Sequence, residues 1–316
     1  MRSVLGFGSS KLGCAMVEIR RVLCPVDLSE FSRHALDHAR AIAQWYEANI
    51  TVLHVISPVE LIAPVVGVAG AVYLPSRALD AREIANEVRQ FSGLKDLSQE
   101  SHLKVVVAEG TPAKEIVRHA EALPADLLVM GTHGRSGFER LFLGSVTDKV
   151  LRSTQVPVLT VPPPVDRVRS VVYKTILCPI EFSGPSTRAL EFSLMLAEET
   201  DAHLILLHVI DAFVEEARLS EISHFSVPEY YRHLEKDARG RLKAAVPEDA
   251  RVWCTPEERV ALGKPYREIL QVADEASTDI IIMGVHGAGA LNRRLFGSTT
   301  QHVIREAHCP VLTLRG

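Results

Sequence analysis

Three stretches from the first half of this chain return in the second at a nearly constant distance. VLCPVDLSEFSRHAL (22–36) comes back as ILCPIEFSGPSTRAL (176–190), ITVLHVI (50–56) as LILLHVI (204–210), and LLVMGTHG (127–134) as IIIMGVHG (280–287). Cys24 and Cys178 are 154 residues apart, Gly131 and Gly284 153. An internal duplication constrains the fold more than any other feature, because whatever architecture one copy adopts the other must adopt as well. VPVLTV (156–161) and CPVLTL (309–314) close the two copies, and VPPPVDRVRS (161–170) lies between them. Its three prolines cannot continue a sheet and favour an extended spacer. The organisation read from this is a flexible leader over 1–16, a first domain over 17–162, a linker over 163–171 and a second domain over 172–316. The length of 316 residues allows two full cores of about 150 residues each.

Within each copy, short apolar runs rich in β-branched residues alternate with longer stretches of helical period. That is the pattern of a parallel sheet covered by helices on both faces, an α/β fold. Copy one reads as strand 21–27, helix 30–48, strand 49–56, a long loop, helix 79–93, strand 103–109, helix 112–123, strand 126–132, helix 145–154 and strand 156–162, and copy two repeats the order. Ser29 and Ser183 are placed to cap the first helix of each copy, and Pro112 sits at the start of its helix, where a missing N–H costs nothing.

The chemistry lies in a glycine pattern. Gly131, Gly134 and Gly144-Ser145 fit G-x2-G-x9-G-[ST], and Gly284, Gly287 and Gly297-Ser298 fit it again with the same spacing. In each copy the first two glycines follow a buried strand and the last opens a helix. A ligand at the carboxyl end of a parallel sheet meets both. Glycine lets backbone N–H groups approach phosphate oxygens, the helix N-terminus adds free amides and a favourable dipole, and the serine adds a hydroxyl. Glycines after strands are often only turns, but recurrence at identical spacing argues for a binding pattern.

With the strand-end PVD and PIE, the LHV strands and the MG-x-HG segments, residues 17–316 resemble the universal stress protein family in its tandem, nucleotide-binding form. The resemblance implies a five-stranded parallel sheet ordered 3-2-1-4-5 in each copy, ATP held by the glycine pattern, and a role in surviving stress. It implies that Pro25, Asp27 and Val55 border the adenosine, that Met130 and Gly131 lie beside the ribose, and that Gly134, Gly144 and Ser145 hold phosphates. The matching positions in copy two are Pro179, Val209, Met283, Gly284, Gly287, Gly297 and Ser298, with Thr299 alongside. Glu181 stands where the family has aspartate, so the first site is expected to bind ATP at least as tightly as the second.

Other features carry less. His34 and His38, four apart on one helix face, have the spacing of metal ligands but no evident third, so no metal site is assigned. His54 repeats as His208 and His133 as His286, which suits either a structural or a ligand-lining role. No paired carboxylate or nucleophile accompanies them, so no catalytic residue is assigned. Cys24 and Cys178 read as small apolar strand residues, and Glu198-Glu199 and Glu215-Glu216 as solvated faces. Five cysteines without a CxxC pair fit a reducing cytoplasm. A net charge of −4 with no basic cluster argues against nucleic acid. Residues 61–74 are apolar but too short for a membrane span, and with Pro64, Gly67 and Gly70 they read as a loop; they are also the sole sequence support for a homodimer. The N-terminal stretch fails as a signal peptide.

The function that follows is an ATP-binding stress-response module, its Mg2+ arriving with the nucleotide, with little or no hydrolysis. An ATP-dependent enzyme of a related α/β fold and a docking scaffold with vestigial sites remain as alternatives. The closing strands 156–162 and 309–315, each an edge with open pairing groups, are expected to cover each other about a pseudo-two-fold axis.

Overall fold

The computed structural model describes residues 18–57, 62–65, 72–75, 81–93, 102–134, 143–164, 171–212, 215, 227–285 and 297–315. The first half runs β1 (Arg21–Pro25), α1 (Glu30–Trp45), β2 (Asn49–Ile56), β3 (Ile62–Val65), β4 (Val72–Pro75), α2 (Ala81–Phe91), β5 (Leu103–Glu109), α3 (Pro112–Ala122), β6 (Leu127–Gly131), α4 (Ser145–Ser153) and β7 (Val158–Val161). The second runs β8 (Thr175–Pro179), α5 (Gly184–Thr200), β9 (His203–Asp211), α6 (Val227–Ala245), β10 (Glu257–Gly263), α7 (Pro265–Glu275), β11 (Ile280–Gly284), α8 (Ser298–Glu306) and β12 (Val311–Leu314). The leader lies outside the described residues, as do 165–170 of the linker.

Local chemistry accounts for the element boundaries. Ser29 and Ser183 cap α1 and α5 by accepting from the backbone N–H groups of Ser32 and Ser186, and Ser186 answers Ser183 to complete a capping box. Pro112 and Pro265 occupy the first turns of α3 and α7. An aspartate just before β6 and another just before β11 clamp the starts of β1 and β8: Asp126 accepts from the N–H groups of Arg20 and Arg21 at 3.0 and 2.9 Å, and Asp279 from those of Lys174 and Thr175 at 2.7 and 2.8 Å. Within β1, Val22 and Cys24 enter one core layer and Leu23 the other, the period-two alternation of a strand buried on both faces.

All the long strands join one sheet, in the order β10-β9-β8-β11-β12-β7-β6-β1-β2-β5. Each half thus has the order 3-2-1-4-5, with every pair inside a half parallel. Helices α1, α2, α5 and α6 cover one face and α3, α4, α7 and α8 the other, so each core layer runs unbroken through both halves. The seam is the expected one. β7 and β12 pair antiparallel with Leu159 opposite Leu312, which are equivalent residues of the repeat, so the pairing register itself is two-fold symmetric. Thr160 Oγ1 donates to Val311 O at 3.0 Å and Thr313 Oγ1 to Val158 O at 3.2 Å, the same bond made from each side. Two edges that would otherwise expose their ladders cover one another.

Two expectations need correcting. Residues 61–74 are not simply a loop, because Ile62–Val65 and Val72–Pro75 form a small antiparallel ribbon with Pro64 opposite Tyr73. In a two-stranded ribbon each strand keeps one unpaired edge, which tolerates a proline that would break a central strand. Glu215 is not on a solvated face: it is 8% exposed and accepts a hydrogen bond from the Tyr230 hydroxyl at 2.5 Å. Its neighbour Glu216 lies outside the described residues.

Candidate functional site

In the order 3-2-1-4-5 the chain leaves β1 for β2 on one side and returns to β6 on the other. The carboxyl ends of β1 and β6 therefore diverge into a crevice, the usual ligand position in such sheets. The structure places a cleft of about 330 Å³ there, at the lower end of the range for small-molecule sites. Pro25, Asp27, Val55, Met130, Gly131, Gly134, Gly144 and Ser145, the first-copy residues picked out in the sequence, all line it.

Three local features shape its walls. Leu28, after Asp27, adopts φ 65°, and its repeat partner Phe182 adopts φ 61°. A bulky residue in the left-handed region is strained, and here it turns the chain so that the preceding carboxylate faces back over the helix cap. Asp27 Oδ1 accepts from the Ser29 hydroxyl at 2.5 Å and the Ser29 N–H at 3.0 Å, while a Cβ at Gly134 would sit 2.9 Å from Asp27 Oδ2. Glycine at 134 is what lets that carboxylate lie against the loop. On the opposite wall Gly144 is the N-cap of α4, leaving the first-turn amides of that helix open to an anion. Thr147 Oγ1 donates to Gly131 O at 2.9 Å, tying this helix start to the end of β6, and Thr300 Oγ1 repeats the tie to Gly284 O at 3.3 Å.

The repeated histidine of the second strand is a structural tie that also lines the cleft. His54 Nδ1 donates to Val26 O at 2.8 Å and His208 Nδ1 to Ile180 O at 2.7 Å, fixing the turn after the first strand. Burial pushes the His208 imidazole below its ordinary value. His133 also lines the cleft, with Nδ1 2.9 Å from Thr132 Oγ1; His286 lies outside the described residues. Val26, Ser32, Leu53, Pro112, Ile116, Val146 and Thr147 complete the lining, and none of them was assigned to the ligand from the sequence. The repeat marks five of these, since Ser32 recurs as Ser186, Leu53 as Leu207, Pro112 as Pro265, Ile116 as Ile269 and Thr147 as Thr300.

The second copy places Pro179 at the end of β8, Val209 on β9, Met283 and Gly284 at the end of β11, Gly297 as the N-cap of α8 and Ser298 and Thr299 in its first turn. Gly287 lies outside the described residues. Glu181 is exposed and accepts from the Ser183 hydroxyl at 2.9 Å, the same cap contact that Asp27 makes with a shorter side chain. A Cβ at Gly284 would meet Pro185 at 2.8 Å, so this glycine also serves the close approach of α5.

Comparison with known proteins matches the fold and its duplication. The family model "Universal stress protein family" fits residues 18–162 and again 172–315. The chain belongs to the universal stress protein family. A universal stress protein of Methanocaldococcus jannaschii is 34% identical over 153 residues, covering 46% of this chain and 83% of that protein. One from Mycolicibacterium smegmatis is 25% identical over 303 residues, 93% of this chain and 96% of its own, and so shares the tandem arrangement of the family. The crystal structure of a universal stress protein from Archaeoglobus fulgidus superposes with a TM-score of 0.63 at 24% identity, covering 94% and 99% of the two chains, which shows the common fold.

Features weighed for other chemistry resolve structurally. His38 Nδ1 lies 2.7 Å from the Tyr173 hydroxyl, and His34 packs edge-on against its ring. No group of three or more metal-ligating side chains occurs among the described residues. Cys24 and Cys178 are buried free thiols pushed up to about 12 by burial, the opposite of a reactive thiolate. Among the described residues no helix is long and apolar enough to cross a membrane.

Proposed function

We propose that each half, 17–162 and 172–316, holds one adenine nucleotide, ATP with its Mg2+, and that the protein is a nucleotide-responsive module of the stress response, in the cytoplasm, rather than an enzyme. One observation carries the reading: a single cleft has a carboxylate acceptor, Asp27, on the β1 wall and open first-turn amides of α4, at Ser145 and Val146, on the opposite wall. An acceptor suits the hydroxyls of ribose or the amino group of adenine, amides suit phosphate, and a nucleoside phosphate carries both. Pro25, Val55 and Met130 give the apolar lining a base requires, with Gly131 beside the sugar and Gly134 at the phosphates. The second site uses Pro179, Glu181, Val209, Met283, Gly284, Gly287, Gly297, Ser298 and Thr299 in the same roles. Family membership and the repetition of the cap and threonine ties support both sites together.

The groups of the cleft position a nucleotide; none of those argued above orients an attacking water, which phosphoryl transfer needs. Turnover is therefore expected well below ~1 per second, the low end of ordinary enzymes. The direct test is to denature the purified protein, identify released nucleotide by mass spectrometry, and titrate stripped protein with ATP by calorimetry. Adenine nucleotide approaching two per chain supports the proposal. A protein that releases none and shows no heat with ATP overturns it.

A further inference from the structure

Arg315 follows β12 in the second domain, yet its guanidinium Nη2 donates to the carbonyl of Leu151 in the first. Leu151 lies in the last turn of α4, the helix whose opposite end, at Gly144 and Ser145, lines the cleft. The last carbonyls of a helix lack intrahelical donors and carry a partial negative charge, and a cation there answers both. Arg315 is 8% exposed, and burial holds its guanidinium below the ordinary arginine range. Its own carbonyl accepts from Arg188 Nη1 at 2.9 Å, so α5 pins the backbone that carries it. Nothing returns the favour from the first domain at the equivalent place, because Pro162 occupies the position matching Arg315 and has no donor.

We propose that Arg315 is a positioning residue for the first nucleotide site, through which the second domain strengthens phosphate binding in the first. The inference rests on the nucleotide reading above. α4 has nine residues, so its ends are about 13 Å apart. The guanidinium and a bound phosphate stand at opposite ends of one short dipole, along a helix whose inner side, at Thr147, Val150 and Leu151, is buried. Neutralising the carbonyl end leaves the amide end more positive toward an anion. The benefit grows with the charge of the ligand and is nil for a neutral nucleoside, whereas simple loosening of the helix would weaken every ligand alike.

The test uses the full-length chain carrying Gly297→Trp, which blocks the second phosphate loop, with Arg315 intact or changed to Leu, Gln or Lys. ATP, AMP and adenosine are titrated by calorimetry. Arg315→Leu is expected to weaken ATP about five-fold, the low end of coupling between sites, to weaken AMP less and to leave adenosine unchanged. Arg315→Lys retains most of the ATP affinity. Arg315→Gln keeps a donor for Leu151 without the charge and follows Leu, which keeps the test decisive if the Leu variant does not fold. Equal losses for ATP and adenosine, or no loss, overturn the inference while leaving the nucleotide reading intact. Failure of the Arg315-intact protein to bind ATP overturns both for this site.

Discussion

At residue scale the two copies differ most where Asp27 in one corresponds to Glu181 in the other. Both carboxylates accept from their cap serine, but Asp27 is half-buried beside Gly134 and Glu181 is exposed. Exchanging them tests whether that methylene sets the difference between sites. Asp27→Glu is expected to weaken ATP at the first site about five-fold and Glu181→Asp to tighten the second by a similar factor, the value of one imperfect hydrogen bond at ~1 kcal/mol. Titrations in backgrounds blocked by Gly297→Trp or Gly144→Trp read each site separately, and a second site tighter than the first in the otherwise native chain would refute the argument. His38 supplies a second prediction. Burial, and then the neighbouring His34, push its imidazole down to about 3. Above pH ~6.5 folded and unfolded chains are both neutral at this position. Below it the unfolded chain takes up a proton the folded chain refuses, so stability falls with pH, by roughly 2 kcal/mol at pH 5 from this group. In His38→Gln, which can still meet the Tyr173 hydroxyl, the drop in urea midpoint between pH 7.5 and 5 should shrink; an undiminished drop would mean that His38 is not its source.

At the scale of elements, the cleft depends on ties between the ends of strands and the starts of helices. α4 is only nine residues long, too short to be stable alone, and its orientation comes from packing and from the Thr147 contact with Gly131 O. Thr147→Val removes the hydroxyl while keeping the branched shape. It is expected to cost about 1 kcal/mol of stability and to weaken ATP at the first site several-fold, without affecting the second. The pair of measurements separates the roles: a stability loss with unchanged ATP affinity would make the tie purely structural. The positive φ at Leu28 and Phe182 belongs to the same scale: in the first copy that strand-to-helix turn carries Asp27 against Gly134.

For the whole molecule, the decisive fact is the ten-stranded sheet with core layers that cross the seam. Tyr173 of the second domain, 1% exposed, packs on His38 and Trp45 of the first. Unfolding one half would expose β7 or β12 and strip a core shared with the other, so calorimetry is expected to show a single cooperative transition. Two resolved transitions, each reproduced by one half expressed alone, would show that the seam contributes little.

Much of this protein was legible from local pattern. The duplication, the strand and helix alternation, the serine caps at 29 and 183, and the glycine spacing each depend on residues close in the chain, where periodicity and turn chemistry act directly. Even the seam could be expected, because an edge strand that ends each copy needs a partner. What no local pattern encodes is which distant side chains meet. The ribbon opposite Pro64, the burial of Glu215 against Tyr230, the entry of Ser32, Ile116 and Thr147 into the cleft, and the reach of Arg315 to Leu151 join segments up to 164 residues apart. Such contacts are settled only when the sheet forms and brings its carboxyl ends and its two halves together, since their stability comes from shared burial rather than from the propensity of either segment.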